Sequence, residues 1–252
     1  MNIPTTSADD LRAHLHALGV QTGDHLTVHS RLLSFGYIDG GVATVFETLR
    51  EVVGPRGTIV VPTYTLSRGT TYDIRMSPSQ GVGILPEYIR QLPGVIRSAC
   101  PMHNHVGLGA KAHVLKEPDG SVSIGPGSDF EALLTANFRL LLLGAGLTEG
   151  ATFIHHIETL AQVPYRSWLD LPREYIGPDG ATHVMTCRYY GRQQHLRVAE
   201  NFDVLDPVLI DAGVMKRVET HFGASRLIAL NDLFQFGMAA LAQDPYSLVT
   251  TE

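Results

Sequence analysis

The side chains best suited to proton transfer occur together in the segment TFIHHIE at residues 152–158. The segment follows an apolar run and a glycine-rich turn, which predicts a helix that begins at the carboxyl end of a buried strand. Ligands gather at such strand ends in open α/β sheets. On that helix His155 and Glu158 share one face because they are three residues apart. A carboxylate beside an imidazole fixes its tautomer and stabilises the imidazolium, which suits a general base and its orienting partner.

Other interpretations of the same histidines stay open. Pairs of the form H-x-x-E are frequent on helices, so spacing alone favours a structural role in which His155 fills space and Glu158 is solvated. A zinc site on His155 and His156 is disfavoured because adjacent helical residues point about 100° apart and no HEXXH pattern is present. A metal site on His103, His105 and His155 has no aspartate or cysteine motif to support it.

Two polar segments have the composition of ligand-binding loops. Residues 29–36, HSRLLSFG, leave a predicted strand, and their backbone amides and hydroxyls can hold phosphate or amide groups. In the segment 97–105, Arg97 can pair with a phosphate. The sequence contains no GxSxG nucleophile elbow and no GxxxxGK[ST] phosphate loop.

Apolar patterning predicts the elements that position these residues. Strands are expected at 25–30, 57–64 and 138–145, whereas 97–109 is expected to be irregular. Helices are expected after Ser7 and at 42–53, 84–92, 128–136, 150–162, 201–212 and 229–243, with a short strand between the last two. The turn at 178–180, PDG, predicts an antiparallel hairpin within 172–200. Strands alternating with helices favour an α/β fold with a largely parallel or mixed sheet. We expect one domain over residues 1–252, with the hairpin as an insertion.

Composition restricts the class of protein. The chain has 252 residues, 44% hydrophobic and 17% charged, which is typical of a globular domain. A formal net charge of −6 disfavours nucleic-acid binding. The charge suits a cationic substrate, although ordinary solubility explains it as well. Cys100 and Cys187 form no CxxC pair, and the sequence shows neither a signal peptide nor an apolar run that could span a bilayer, so we expect a cytoplasmic protein.

Taken in order, these segments resemble the aminoglycoside 3-N-acetyltransferase family. The pattern LxxLGVxxGDxLxVHSxL runs from Leu15 to Leu32, and GTxVxPTYT from Gly57 to Thr65. RSxxPxxxxxxxG follows from Arg97 to Gly109, and a buried strand then leads to TxxHxxE, which ends at Glu158. The resemblance covers about residues 10 to 250 and depends on the ordered set more than on any single piece.

The resemblance implies a three-layer α/β/α sandwich with a central mixed sheet and a small antiparallel hairpin insertion. It also implies direct transfer of an acetyl group from acetyl-CoA to a primary amine of an aminoglycoside or related amino sugar, and hence antibiotic resistance. Carried over by position, His155 is the general base, Glu158 orients it, and Thr63 helps to bind the thioester oxygen. The residues that would hold CoA are His29, Ser30, Arg31, Leu33, Ser34, Phe35, Gly36, Arg97 and Ser98.

The chain departs from the family pattern at a few positions, so the acceptor stays open. The family usually has Ser at the position of Arg31 and His at the position of Cys100. It usually has Pro after the serine that corresponds to Ser128, where this chain has Asp129. The Ser expected near Asn104 is also absent. The same chemistry on a different small biosynthetic amine is one alternative. A non-catalytic CoA- or sugar-binding protein is another, which the intact His155–Glu158 pair disfavours, and a metal-dependent hydrolase is supported only by the abundance of histidine.

The expected partners are CoA and a small-molecule amine, with no metal, nucleic acid or membrane. A homodimer is compatible with the sequence. We expect the acceptor pocket to draw on residues 65–80 and 165–195.

Overall fold

A computed structural model describes residues 3–67 and 69–251 of the chain. Positions 1, 2, 68 and 252 of the predicted span therefore lie outside the described residues. The strands are β1 (Thr5–Thr6), β2 (His25–Ser30), β3 (Tyr37–Ile38), β4 (Thr58–Pro62), β5 (Tyr72–Asp73), β6 (Ile96–Arg97), β7 (His105–Gly109), β8 (Arg139–Leu143), β9 (Arg166–Ile176), β10 (Thr182–Arg192), β11 (Val198–Glu200), β12 (Met215–Thr220), β13 (Gly223–Ala229) and β14 (Val249–Thr251). The helices are α1 (Ala8–Leu18), α2 (Gly41–Val53), α3 (Ile84–Arg90), α4 (Asp129–Thr135), α5 (Leu147–Gly150), α6 (Phe153–Ala161), α7 (Leu205–Asp211) and α8 (Leu230–Gln243).

A mixed sheet forms the centre of the fold, with the strand order β12-β13-β8-β2-β4-β7-β6. β2 runs parallel to both of its neighbours, β4 and β8, whereas the outer strands pair antiparallel. The carboxyl ends of β2, β4 and β8 therefore meet at one edge of the sheet.

Helices cover both faces of this sheet. Leu140 and Leu142 of β8 pack into a core with α4, α6, α7 and α8. Leu141 and Leu143 point the other way, into a second core with α1, α2 and α3. Successive side chains of β8 therefore point alternately into the two cores, one on each face of the sheet. The predicted three-layer α/β/α sandwich is confirmed.

Local capping sets both ends of α1, which begins after Ser7 as the sequence predicts. The Asp10 backbone N–H donates to Ser7 Oγ at 3.2 Å, and the Ser7 backbone N–H donates to Asp10 Oδ2 at 2.9 Å. Gly19 ends the helix in the left-handed region, with φ 85°.

A hairpin of β9 and β10 lies beside the central sheet, joined by the turn in which Gly180 has φ 80°. The pair extends from Arg166 to Arg192, so it begins and ends earlier than the predicted 172–200. The polar residues of β9 and its Pro172 mask the strand alternation on which the prediction relied. β10 is tied to the core where the Ser123 N–H donates to the Arg188 carbonyl at 2.8 Å.

Two further segments differ from the sequence expectation. The region 97–109, predicted as irregular, contains β7 and the end of β6, which extend the central sheet; the polar His105 and the glycines at 107 and 109 hide their pattern. The single strand expected between the last two helices is a pair, β12 and β13. None of the helices in the described ranges is both long and apolar enough to cross a membrane.

Candidate active site

A cavity of about 800 Å³ opens where β2 and β4 end. The loop after β2 forms one wall, Tyr64 and Leu66 follow β4, and Gly150 and Thr152 precede α6. Gly150 permits this approach because a Cβ there would lie 2.9 Å from the Leu142 side chain and 3.3 Å from His29 Cβ. The remaining lining residues include Gln80, Gly81, Val82, Gly83, Ile84, Ala145 and Glu149.

The predicted CoA loop is divided by the structure into two groups. His29, Ser30, Arg31, Leu33 and Gly36 line the cavity. Ser34 and Phe35 do not, because the 3₁₀ turn over 32–35 directs both side chains inward. Ser34 Oγ donates to the Gly144 carbonyl at 2.6 Å, and Phe35 lies in the core.

The electrostatic character of this loop comes mainly from Arg31. Burial lowers the pKa of His29 to about 3, with a smaller contribution from the charge of His105, so His29 is neutral at physiological pH. The Arg31 guanidinium is half exposed and lies 3.7 Å from Glu149 Oε1. Such an exposed pair is weak, so Arg31 is available to a phosphate.

Thr63 and Arg97 lie outside the cavity lining and are bound to neighbouring groups. Thr63 Oγ1 donates to Asn104 Oδ1 at 2.8 Å. Arg97 donates from Nε to the same oxygen at 3.0 Å, and from Nη2 to the Thr63 carbonyl at 3.0 Å. These contacts join β4 to the segment before β7. The geometry therefore does not favour the expected roles of Thr63 on the thioester or Arg97 on CoA.

Ser98 is likewise buried in a polar cluster away from the cavity lining. Its hydroxyl donates to Asp129 Oδ2, and the same carboxylate oxygen lies 2.9 Å from His105 Nδ1. Asp129, one of the departures from the family pattern, thus holds two buried side chains of β7 and the segment before it. This use of the Ser98 hydroxyl argues against its expected contact with CoA.

Tyr64, which sequence analysis did not single out, is one of the residues that line the cavity. Its ring packs against His103 and His105 at centroid distances of 4.8 and 5.6 Å. Its Oη is buried near the Thr152 side chain and does not reach hydrogen-bond geometry with any described residue. Burial raises the pKa of Tyr64, so the hydroxyl remains a proton donor. Strand alternation could have identified it, because residues 63 and 64 point to opposite sides.

His155 and Glu158 form the predicted pair on α6. His155 Nδ1 lies 2.6 Å from Glu158 Oε2, and the carboxylate is fully buried while 18% of the imidazole is exposed. Tyr165 Oη donates to Glu158 Oε1 at 2.8 Å. Burial raises the pKa of Glu158, but the hydrogen bond and charge of His155, the charge of Arg166 and the Tyr165 hydroxyl together hold it below its usual value. The carboxylate is therefore ionised at neutral pH.

The pair lies one helical turn beyond the cavity wall. The His155 N–H donates to the carbonyl of Thr152, a lining residue, at 3.0 Å. His103, which packs against the Tyr64 ring, is close enough to His155 that burial, followed by the charge of His155, lowers the pKa of His103 to about 3.

The histidines considered as metal ligands have other partners. His103 Nδ1 lies 2.6 Å from Ser123 Oγ, and His105 is held by Asp129. Across residues 3–67 and 69–251, no three His, Cys, Asp or Glu side chains are arranged to hold a metal ion.

Comparison with known proteins identifies relatives that cover nearly the whole chain. The family described as aminoglycoside 3-N-acetyltransferase matches residues 27–242. Aminoglycoside N(3)-acetyltransferase VII of Streptomyces paromomycinus is 30% identical, with 91% of this chain and 89% of the relative covered.

Solved structures agree with the sequence match. The structure of AAC-IIIb in a binary complex with CoASH is 25% identical, with a TM-score of 0.81 over 95% of this chain and 97% of the other. A mutant of aminoglycoside acetyltransferase AAC(3)-IVa in complex with a gentamicin is 26% identical, with a TM-score of 0.83 over 98% and 93% of the two chains.

Proposed function

This chain belongs to the aminoglycoside 3-N-acetyltransferase family, a family of acyltransferases, and on that premise we propose a specific reaction for it. The protein transfers an acetyl group from acetyl-CoA to a primary amine of an aminoglycoside or related amino sugar. The observation that carries the proposal is the buried Glu158 carboxylate that holds His155 one helical turn from the cavity wall. A cytoplasmic location fits the free thiols of Cys100 and Cys187.

His155 acts as the general base. With Nδ1 donating its proton to Glu158, the lone pair on Nε2 is free to accept a proton from the attacking amine. The amine nitrogen forms a bond to the thioester carbon, and the C–S bond then breaks. The proton held on Nε2 passes to the departing CoA sulfur, so His155 returns to its neutral form.

Tyr64 takes the role that the sequence suggested for Thr63. Attack on the thioester places negative charge on the carbonyl oxygen, and a preformed donor beside that oxygen stabilises the transition state. Tyr64 lines the cavity and its buried hydroxyl makes no hydrogen bond among the described residues, whereas the Thr63 hydroxyl already donates to Asn104. We therefore assign the donor to Tyr64.

The cavity loop binds acetyl-CoA. Leu33, Val82 and Ile84 supply apolar walls for the pantetheine arm, and Arg31 at the loop supplies a cation for a phosphate. The solved relative that carries CoASH supports CoA as the co-substrate.

An aminoglycoside suits the acceptor side. The relative with bound gentamicin supports this class, and the formal net charge of −6 favours association with a polycation. Leu66 and Gln80, from a segment predicted to contact the acceptor, line the cavity.

A thiol-release assay with acetyl-CoA tests the proposed function. The protein is offered a panel of aminoglycosides, amino sugars and small amines, and mass spectrometry locates the acetyl group. We expect release with aminoglycosides, at a kcat/KM well above that for simple monoamines. Release confined to a small biosynthetic amine would overturn the acceptor, and CoA binding without release for any amine would overturn the catalytic function.

A further inference from the structure

Arg166, the first residue of β9, lies against the His155–Glu158 pair and is itself buried. Its Nε lies 2.8 Å from Glu158 Oε2, the oxygen that also faces His155, and only 2% of its side chain is exposed. Its Nη2 lies 2.8 Å from His155 Nδ1 and 3.4 Å from Glu200 Oε1. One guanidinium therefore touches the imidazole, the carboxylate that orients it, and a second carboxylate.

The contact between Arg166 and His155 is compatible with a neutral imidazole. A guanidinium can only donate, and it stays charged at all relevant pH values. In the tautomer that serves as a base, Nδ1 carries the proton that Glu158 accepts, so the nearby guanidinium acts on the imidazole through its charge. Proton uptake at Nε2 therefore brings two cations to one carboxylate.

The surrounding groups do not cancel this charge. Glu158 lies on α6 with His155, and Tyr165 and Arg166 lie at the start of β9. On the other packed elements, β11 supplies Glu200, which is a third exposed and is shared with Arg192 of β10. The remaining titratable neighbours are Tyr190 of β10, the buried and neutral His103, and His156. Phe202 contributes an apolar ring edge.

We propose that Arg166 is a positioning residue that opposes protonation of His155 and thereby keeps the base neutral and available under mildly acidic conditions. The inference deepens the proposed function and rests on it. With His155 neutral, Arg166 and Glu158 form a balanced buried pair. With His155 protonated, the cluster carries an excess positive charge out of water, which is costly.

The test is a cycle of variants at positions 158 and 166. Arg166→Met should move proton uptake by the His155–Glu158 pair to higher pH by about one unit, because a carboxylate without its cation favours the imidazolium. Glu158→Gln should move the titration midpoint of His155 to lower pH. The midpoint of the double variant should lie between those of the two single variants. Arg166→Lys keeps the charge and should shift less than Arg166→Met.

Two measurements report on each variant. The ring carbon NMR signal of His155, identified by its loss in His155→Ala, gives the titration without any substrate. The acid limb of kcat/KM with acetyl-CoA and an accepted amine gives the same midpoint if His155 is the base. Arg173→Met is the matched control, because Arg173 is a buried arginine on the same strand that donates to the Thr65 and Pro101 carbonyls. It should leave the His155 midpoint unchanged even if it lowers stability.

The outcomes separate this inference from the proposed function. If Arg166→Met folds and His155 titrates as in the wild type, the role of Arg166 is overturned. If Arg166→Met does not fold, the double variant decides the question, because it leaves no unpaired carboxylate at position 158. The inference is overturned if the titration midpoint of His155 in the double variant is no higher than in Glu158→Gln. If the NMR midpoint moves and the kinetic limb does not, Arg166 acts on His155 as inferred and the general-base assignment fails instead.

Discussion

The hydroxyl of Tyr165 donates to Oε1 of Glu158 at 2.8 Å, and this contact links the start of β9 to the helix that carries His155. The other carboxylate oxygen faces His155 and Arg166. Glu158 is thus held from two elements and cannot rotate freely away from the imidazole. A carboxylate held in this way is suited to keep one tautomer of its partner, which is the role proposed for it.

Replacement of His155 by Ala should reduce kcat by about 10²–10⁴-fold, the usual contribution of a general base. The fold should persist, because the imidazole is partly exposed and its ring hydrogen bonds in the described residues go to the side chains of Glu158 and Arg166. Glu158→Gln should cost less, since the amide still places the ring. Steady-state kinetics and circular dichroism measure both effects, and a His155→Ala enzyme with wild-type kcat would refute the assignment.

Replacement of Tyr64 by Phe should lower kcat by about 10²-fold, with little change in thermal stability, because the hydroxyl has no partner to lose in the described part of the chain. Thr63→Val is the matched control: it removes the hydrogen bond to Asn104, so it should lower Tm while leaving most of kcat. The reverse result, with kcat lost in Thr63→Val and kept in Tyr64→Phe, would return the donor role to Thr63.

Binding of CoA should not require a divalent metal. The cavity offers loop amides, hydroxyls and the Arg31 guanidinium, and the candidate histidines 103 and 105 are held by Ser123 and Asp129. Calorimetric titration with CoA in the presence and absence of a chelator measures this directly. Loss of binding with chelator, restored by added zinc, would contradict the metal-free site.

β4 and β8 were predictable from sequence because their apolar runs are nearly continuous, and β2 was predictable because Leu26 and Val28 alternate with polar residues. Together these three strands place the cavity. β7 and β12 were not predictable in the same way. β7 carries His105, whose partner Asp129 lies in α4, and two glycines; β12 is mostly exposed and polar. Their strand character depends on pairing with neighbours that are distant in sequence.

In the candidate site, too, contacts within one element were predictable from sequence and contacts between elements were not. His155 and Glu158 meet because of helical spacing alone, so a local pattern sufficed. Arg166 acts across elements, and no spacing in the sequence links it to His155. For Thr63, the local motif suggested a ligand contact. In the structure its hydroxyl donates a hydrogen bond to Asn104, which lies 41 residues later in the sequence.

The imidazole of His156 is completely buried between Phe153 and Phe234. The Gly125 backbone lies near it, but neither ring nitrogen reaches hydrogen-bond geometry with any described residue. Burial lowers its pKa to about 4. An unfolded histidine has a pKa of about 6.5, so above that pH neither state binds the proton. Between pH 6.5 and 4 the unfolded state binds it and the folded state does not, so this residue makes stability fall as the pH falls.

The expected loss from His156 is about 2 kcal/mol in the free energy of unfolding between pH 7.5 and pH 5. His156→Leu has a similar volume and cannot take up a proton, so its stability should fall by that much less over the same interval. His29 and His103, with pKa values lowered to about 3, keep the remaining slope in both proteins. Urea unfolding at the two pH values measures the difference, with the exposed His221→Leu as the control that should follow the wild type. If His156→Leu loses as much stability as the wild type on acidification, its buried imidazole is not a source of acid sensitivity. The slope must then come from other histidines whose pKa burial lowers, such as His29, His103, His14 and His25, or from carboxylates such as Glu158.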